Sequence, residues 1–167
     1  SPRNPMTHLI DSLETQTNWS KFFTIADSLY HDQGFTSAGD NFLRNTVLEK
    51  ALDLCSELTR VDKKGHDFLY KDGTKVELKV TRTLFYKKKP HKSKTFKVKS
   101  FLSETRTVED FRKEQTFDYL MLISLEERRV VLVEDERARE LYQTGSDGAV
   151  MSVDKGDYYQ LDFSEVN

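Results

Sequence analysis

Apolar and polar residues alternate along the stretch from Lys75 to Thr81. Its apolar members are Val76, Leu78 and Val80, and its polar members are Lys75, Glu77, Lys79 and Thr81. A period of two predicts a strand with one apolar face and one polar face. Glu77 and Lys79 are therefore expected to project side by side on the polar face, away from the core.

A tight turn is expected between this strand and another at residues 66–70. A three-residue loop at residues 71–73, with Gly73 in the left-handed region, would place Asp67 opposite Glu77. A two-residue loop would instead put Asp67 on the other face. Opposed partners share a face, with Cβ atoms about 5 Å apart. Two carboxylates so close together repel unless a cation lies between them, so the pair indicates a metal site.

The remaining pattern predicts helices before this hairpin and mixed elements after it. The run Tyr119–Ile123 is continuously apolar, which is typical of a central strand buried on both faces. The resulting fold class is α/β, a mixed sheet flanked by helices. The predicted helices cover residues 18–33, 40–58, 107–114 and 135–142, and further strands cover residues 96–101, 117–125, 129–134 and 158–163, the last at an edge.

Length and composition favour a single domain. The 167 residues suffice for a real core, and we divide them into a helical part (1–60), the hairpin with a basic segment (61–103) and C-terminal strands and helix (104–167). The longest apolar run, near residues 119–125, is far too short to span a membrane, and no signal-peptide pattern is present. We expect an intracellular protein without a membrane partner. Cys55 is the only cysteine, so no disulfide can form within the chain.

Positive charge is concentrated directly after the hairpin. Residues 78–103 contain nine Lys or Arg and no Asp or Glu, although the whole chain carries a net charge of −2. This segment is either a solvated basic loop or a phosphate-binding surface beside the carboxylates, and its position favours nucleic acid. The candidate contacts are Arg82, Lys87, Lys88, Lys89, His91, Lys92, Lys94, Lys97 and Lys99.

The motif resembles that of the PD-(D/E)XK nuclease superfamily, and especially that of small type II restriction endonucleases. Glu77-Leu78-Lys79 follows Asp67 by ten residues, with helices before the hairpin and a basic stretch and strands after it. His66 stands where the family often carries a proline. The resemblance implies a restriction-endonuclease-like fold and a Mg²⁺-dependent endonuclease acting on double-stranded DNA, with Mn²⁺ able to substitute.

The resemblance also implies a role for each motif residue. Asp67 and Glu77 would bind the Mg²⁺ ion, and the carbonyl of Leu78 would complete its shell. Lys79 would orient the attacking water or help to deprotonate it. Many members add an acid from the preceding helix, for which Glu49 is the candidate; the alternative is a solvated helix-surface glutamate. His31 matches a histidine of some members, or is simply a helix-end residue.

Several functions remain open at this point. A type II restriction enzyme that cuts a short palindromic site would act as a homodimer, because one chain carries one site. The alternatives are a structure-specific repair or recombination nuclease, a viral RNA endonuclease, and a non-catalytic nucleic-acid-binding domain. Trp19, Phe22 and Phe23 are candidates for the dimer contact, unless they fill the core of the chain itself. The recognition sequence is not readable from the chain.

Overall fold

The structure is a computed structural model, which describes residues 5–33, 57–63, 66–81, 96–99, 107–113, 115–124, 128–145, 148–153, 156 and 158–161. Its helices are α1 (Pro5–Thr15), α2 (Trp19–Gln33), α3 (Val108–Lys113) and α4 (Asp135–Leu141). Its strands are β1 (Leu58–Lys63), β2 (His66–Tyr70), β3 (Lys75–Thr81), β4 (Phe96–Lys99), β5 (Tyr119–Ser124), β6 (Arg129–Glu134), β7 (Tyr142–Gly145), β8 (Gly148–Val153) and β9 (Tyr159–Gln160). The predicted mixed α/β class is confirmed.

Six of the strands form the main sheet, in the order β1-β2-β3-β5-β6-β9. β3 and β5 run parallel to each other, whereas the other neighbours are antiparallel. β5 therefore lies in the interior of the sheet, as its continuous apolar run predicts. β9 is an edge strand, as expected for the last predicted strand.

The main sheet separates two apolar cores, and β5 contributes to both. Met121 and Ile123 lie in the first core, while Leu120 and Leu122 lie in the second. Side chains from α1 and α2 complete the first core, and side chains from α3, α4, β7 and β8 complete the second. Both faces of the sheet are thus covered, because a strand that is apolar at every position must bury both sides.

A second sheet of three strands has the order β4-β8-β7 and is antiparallel throughout. Its strand β4 confirms the strand predicted near residues 96–101. β7 and β8 were not predicted, because Tyr142–Val153 shows no clear alternation and contains Gly145 and Gly148. Pairing between the two strands, rather than local pattern, makes them extended.

The predicted helix at residues 40–58 is wrong at its C-terminal end. Leu58 begins β1, whose residues pair with β2 from Leu58 opposite Tyr70 onward. Residues 40–56 of that predicted helix lie outside the described part of the chain. The side chain of Leu58 is buried in the first core, so the apolar residue that suggested a helix face serves a strand instead.

The predicted helix starts are supported by capping contacts. Asn18 Oδ1 accepts a hydrogen bond from Lys21 N at 3.0 Å before α2. Thr107 Oγ1 accepts one from Asp110 N at 3.1 Å, and Asp110 Oδ2 accepts one from Thr107 N at 3.2 Å. This reciprocal pair satisfies amide groups that the first turn of α3 leaves open. In the described part of the chain, every helix is too short or too polar to cross a lipid bilayer.

The aromatic residues of α2 belong to the core of the chain itself. Trp19, Phe22 and Phe23 are 5%, 1% and 0% exposed and lie in the first core. Trp19 Nε1 also donates to the carbonyl of Leu13 at 2.6 Å. The prediction that these side chains form a dimer contact is therefore wrong, and the alternative that they fill the monomer core is confirmed.

Candidate functional site

The turn of the β2–β3 hairpin has the predicted length. Tyr70 N donates to Thr74 O at 2.8 Å, and Gly73 N donates to Tyr70 O at 2.9 Å, which closes a loop over residues 71–73. Gly73 has a φ of 92°. This left-handed conformation is the one for which glycine is favoured, so the local sequence determines the loop type.

The same hairpin register brings the two candidate carboxylates together. Phe68 pairs with Val76 and Leu69 with Lys75, and continuing this register by one residue would set Asp67 opposite Glu77. Phe68 and Val76 are fully buried in the first core, while Asp67 and Glu77 are partly exposed. The two acids therefore lie on the other face of the sheet, as the sequence pattern predicts.

The backbone of Leu78 orients one of these acids. Asp67 Oδ2 accepts a hydrogen bond from Leu78 N at 2.9 Å. Because the N–H and C=O groups of one strand residue point toward the same neighbouring strand, the Leu78 carbonyl also faces β2. The side chain of Leu78 is buried in the first core, so only its backbone is available to a ligand near Asp67.

Parallel pairing with β5 sets the surroundings of the motif. Glu77 is the register partner of Leu120, and Lys79 is the partner of Leu122. Both leucines are fully buried in the second core. Glu77 and Lys79 thus border an apolar surface on one side, where a lower local dielectric strengthens their interactions with charged ligands.

Asp118 determines where the parallel pairing of β3 and β5 begins. Its Oδ2 accepts a hydrogen bond from Lys75 N at 2.8 Å, and its backbone N donates to Lys75 O at 2.8 Å. Its carbonyl accepts a bond from Asp135 N at 2.9 Å. Asp118 therefore joins the starts of β3, β5 and α4 and helps to fix the position of Glu77 and Lys79 along β5.

An ion pair holds α4 on the second core. Arg139 Nε and Nη2 donate to the two carboxylate oxygens of Asp135 at 3.0 and 2.8 Å, and Nη1 donates to Arg112 O at 3.0 Å. Burial raises the pKa of the Asp135 carboxyl above its ordinary value, although the hydrogen bond from Arg139 acts in the opposite direction. That hydrogen bond raises the pKa of the Arg139 guanidinium. The contact ties α4 to α3 beside the sheet.

A polar network anchors the turn of the hairpin to α1. Ser12 Oγ donates to a carboxylate oxygen of Glu57 and lies 2.7 Å from Tyr70 Oη. Lys71 Nζ donates to Glu57 Oε1 at 2.9 Å, and this bond raises the pKa of the lysine. The turn is thereby fixed on the first-core side, which leaves the opposite face for Asp67, Glu77 and Lys79.

The structure describes only part of the predicted site. It brings Asp67, Glu77, Leu78 and Lys79 together on the hairpin, and it places His31 in the last turn of α2. Lys97 and Lys99 lie on β4, at positions that alternate with those paired to the buried Met151 and Val153. The residues outside the described part of the chain are Glu49, Arg82, Lys87, Lys88, Lys89, His91, Lys92 and Lys94.

The described donors suit a hard divalent cation. Asp67 and Glu77 offer carboxylate oxygens, and the Leu78 carbonyl faces the same strand. Mg²⁺ prefers such oxygen ligands and keeps several waters, so two carboxylates suffice. Within the described ranges, no group of three or more His, Cys, Asp or Glu residues could hold a metal ion. The third acid that the resemblance implies, Glu49, lies outside those ranges.

Ser124 and Arg129 lie on the same face of the sheet as Glu77 and Lys79, and neither was identified as a site residue from the sequence. Ser124 pairs with Thr81 on β3 and with Arg129 on β6, next to the row that contains Lys79. The available signal was a single serine that ends the apolar run of β5. A serine at the end of an apolar run does not indicate a functional residue until the parallel pairing of β3 and β5 is known.

Comparison with known proteins adds no relative. No protein-family profile matches the chain, and no curated protein sequence matches it. The function must therefore be inferred from the hairpin, where Asp67 contacts β3 through Leu78 N and where Glu77 and Lys79 alternate with the buried Val76 and Leu78.

Proposed function

We propose that this chain is a Mg²⁺-dependent endonuclease with a restriction-endonuclease-like fold, which hydrolyses phosphodiester bonds in double-stranded DNA. The observation that carries the proposal is the hydrogen bond from Leu78 N to Asp67 Oδ2, which brings Asp67 against the strand that bears Glu77 and Lys79. Continuing the β2–β3 register by one residue would set Asp67 opposite Glu77. A mixed sheet covered on both faces and the basic segment after β3 agree with it. Among endonucleases, we propose a type II restriction enzyme that cuts a short palindromic site.

Each motif residue has a defined part in this proposal. Asp67 and Glu77 would hold Mg²⁺ together with the Leu78 carbonyl, and Mn²⁺ would substitute for it. When bound, the cation lowers the pKa of a coordinated water and polarises the phosphate. The Leu78 amide keeps Asp67 Oδ2 oriented. Lys79 supplies a positive charge beside apolar Leu122, where it offsets the negative charge that develops on the phosphate.

Lys97 and Lys99 of β4 are the described part of the proposed nucleic-acid surface. β4 pairs with β8, whose Met151 and Val153 lie in the second core, and this core covers the same sheet face as Glu77 and Lys79. Lys97 and Lys99 alternate along β4 with the residues that pair with Met151 and Val153. Nucleic acid would thus approach from the second-core side of the molecule.

Incubation of the purified protein with supercoiled plasmid and Mg²⁺ tests the proposal. Discrete fragments that EDTA abolishes would support a restriction enzyme. Preferential cleavage of branched DNA would indicate a repair or recombination nuclease, and cleavage of RNA alone would indicate an RNA endonuclease. Nucleic-acid binding without any cleavage would contradict the enzyme and leave a binding domain.

Replacement of Lys87, Lys88 and Lys89 by Ala should weaken DNA binding in a salt-dependent way. Each lost phosphate contact lowers the log–log slope of affinity against salt by about 0.9, so the triple variant should lose up to about three. Fluorescence anisotropy at several salt concentrations measures the slope. All DNA sequences should be weakened about equally, because lysine runs contact phosphates rather than bases. An unchanged slope would mean that these lysines form a solvated loop.

Sedimentation velocity at micromolar concentration should reveal a dimer, at least on a cleavable palindromic duplex. One chain carries one hairpin site, and cutting both strands of a palindrome requires two sites related by a twofold axis. Since the aromatic side chains of α2 fill the first core, other residues would form the contact. A strict monomer in both states would exclude the palindromic enzyme and favour a nicking nuclease.

A further inference from the structure

A row of three residues crosses the main sheet next to the candidate metal site. Thr81 on β3, Ser124 on β5 and Arg129 on β6 are successive register partners. Since β5 residues alternate between the two cores, Ser124 follows Leu122 on the second-core face. This row therefore lies on the face that bears Glu77 and Lys79, one step further along the strands.

Ser124 has an unusual environment for a polar residue. Its side chain is 0% exposed, and its Oγ has no hydrogen-bond partner among the described residues. A buried hydroxyl without a partner is unfavourable, because it has lost its hydrogen bonds to water. A bound ligand is one of the explanations for such a group in a native chain, and the charges around Ser124 favour it here.

Two cationic side chains flank this hydroxyl. Arg129 is the direct partner of Ser124 across the antiparallel β5–β6 pair, so their Cβ atoms are about 5 Å apart. Lys79 is the diagonal neighbour on β3; with strands about 4.8 Å apart and about 6.6 Å between alternate residues, a lysine side chain spans the gap. Both side chains are partly exposed.

We propose that Ser124, Arg129 and Lys79 bind one phosphate group. A hydroxyl donor between a guanidinium and an ammonium matches the charge and the acceptor oxygens of a phosphate, and arginine can bind two of those oxygens at once. Ser124 is fully buried before the ligand arrives, so binding includes a local movement of neighbouring side chains. The ligand is the phosphate of the nucleic acid next to the scissile one. Lys79, which lies between Glu77 and Thr81 on β3, would contact both phosphates, whereas Ser124 and Arg129 would contact only the neighbouring one.

This inference rests on the proposed function in one respect only, which is that the bound phosphate belongs to nucleic acid. The site itself follows from the pairing of β3, β5 and β6, and inorganic phosphate can test it without any cleavage. Duplex DNA then tests whether the phosphate belongs to nucleic acid. A protein that does not cleave DNA could still have this site, and a nuclease could lack it.

The first test is an NMR titration of the ¹⁵N-labelled chain with inorganic phosphate, at ionic strength held constant with chloride. We expect saturable shifts of the Ser124 and Arg129 amides and of the Arg129 Nε signal. Arg129→Gln should abolish the shifts at Ser124. Arg137→Gln removes the same charge from α4, at the opposite end of β6, and should leave them unchanged. Shifts at Ser124 and Arg129 no larger than those with chloride alone would overturn the site.

The hydroxyl is tested with Ser124→Ala. Loss of a hydrogen bond to a charged group should weaken phosphate binding about tenfold. The melting temperature should not fall, because the hydroxyl that is removed has no partner among the described residues. A lower melting temperature with unchanged phosphate binding would instead show a purely structural serine and overturn its assigned role.

Duplex DNA identifies the source of the phosphate. Arg129→Gln should lower the log–log slope of DNA affinity against salt by about 0.9, as expected for one lost phosphate contact, while Arg137→Gln leaves the slope unchanged. An unchanged slope for Arg129→Gln, together with binding of inorganic phosphate, would assign the site to a free phosphate and contradict the nucleic-acid contact.

Discussion

Replacement of Asp67 by Asn, or of Glu77 by Gln, is expected to reduce Mg²⁺-dependent DNA cleavage by at least about a hundredfold. Each variant keeps the size of the side chain but removes one of the two negative charges that attract the cation. Since the two partly exposed carboxylates lie on adjacent strands, losing one charge should also leave the metal-free protein as stable as before, or more stable. Single-turnover cleavage of a duplex and thermal unfolding measure the two effects.

Two further variants test whether the loss of cleavage is specific to the two carboxylates that would bind the cation. Glu134→Gln is the same chemical change at an exposed position near the end of β6 and should leave the rate unchanged. Lys79→Ala should keep metal binding but lose cleavage, because the lysine charge acts on the phosphate rather than on the cation. Cleavage at nearly the wild-type rate by Asp67→Asn or Glu77→Gln would remove the nuclease assignment from these residues.

Phe23→Ala is expected to cost about 3–5 kcal/mol of the free energy of unfolding. Phe23 is 0% exposed, and its ring centroid lies 5.4 Å from that of Phe22 and 6.1 Å from that of Trp19. The Arg128 guanidinium lies 5.7 Å from the Phe23 ring, so a cation–π contact is lost as well. Because a domain is stable by only about 5–15 kcal/mol, this loss should be evident in urea denaturation.

Tyr159→Ala serves as the control for the core. Tyr159 is 51% exposed on the edge strand β9, so its removal should change stability by no more than about 0.5 kcal/mol. Equal stability of the two variants would mean that Phe23 does not fill the core of the monomer. A dimer contact through α2 would then have to be considered again.

The hairpin could be predicted from sequence because its determinants are local. Gly73 selects a three-residue loop, and the loop length fixes the register in which Phe68 pairs with Val76 and Leu69 with Lys75. The same holds for the starts of α3 and α4, which follow from the cap at Thr107 and from the polar residues after β6, whereas Tyr142, predicted to end α4, begins β7. Each of these elements is determined by a few adjacent residues.

The rest of the fold depends on contacts between distant residues. β1, β7 and β8 are extended because they pair with other strands, and no local alternation marks them. The parallel pairing of β3 with β5 begins with Lys75 and Asp118, which are 43 residues apart. Ser124 and Arg129 become neighbours of Lys79 only through that pairing, so local pattern could not identify them.

Binding of Mn²⁺, followed by electron paramagnetic resonance, tests most directly whether Asp67 and Glu77 hold a divalent cation together. The wild-type chain should take up Mn²⁺ at a saturable site from which Mg²⁺ displaces it, because both ions prefer carboxylate oxygen. Glu77→Gln should lose this site, whereas Glu134→Gln should retain it. Equal Mn²⁺ binding by the wild type and Glu77→Gln, or no binding by the wild type, would contradict the metal site and the nuclease mechanism built on it.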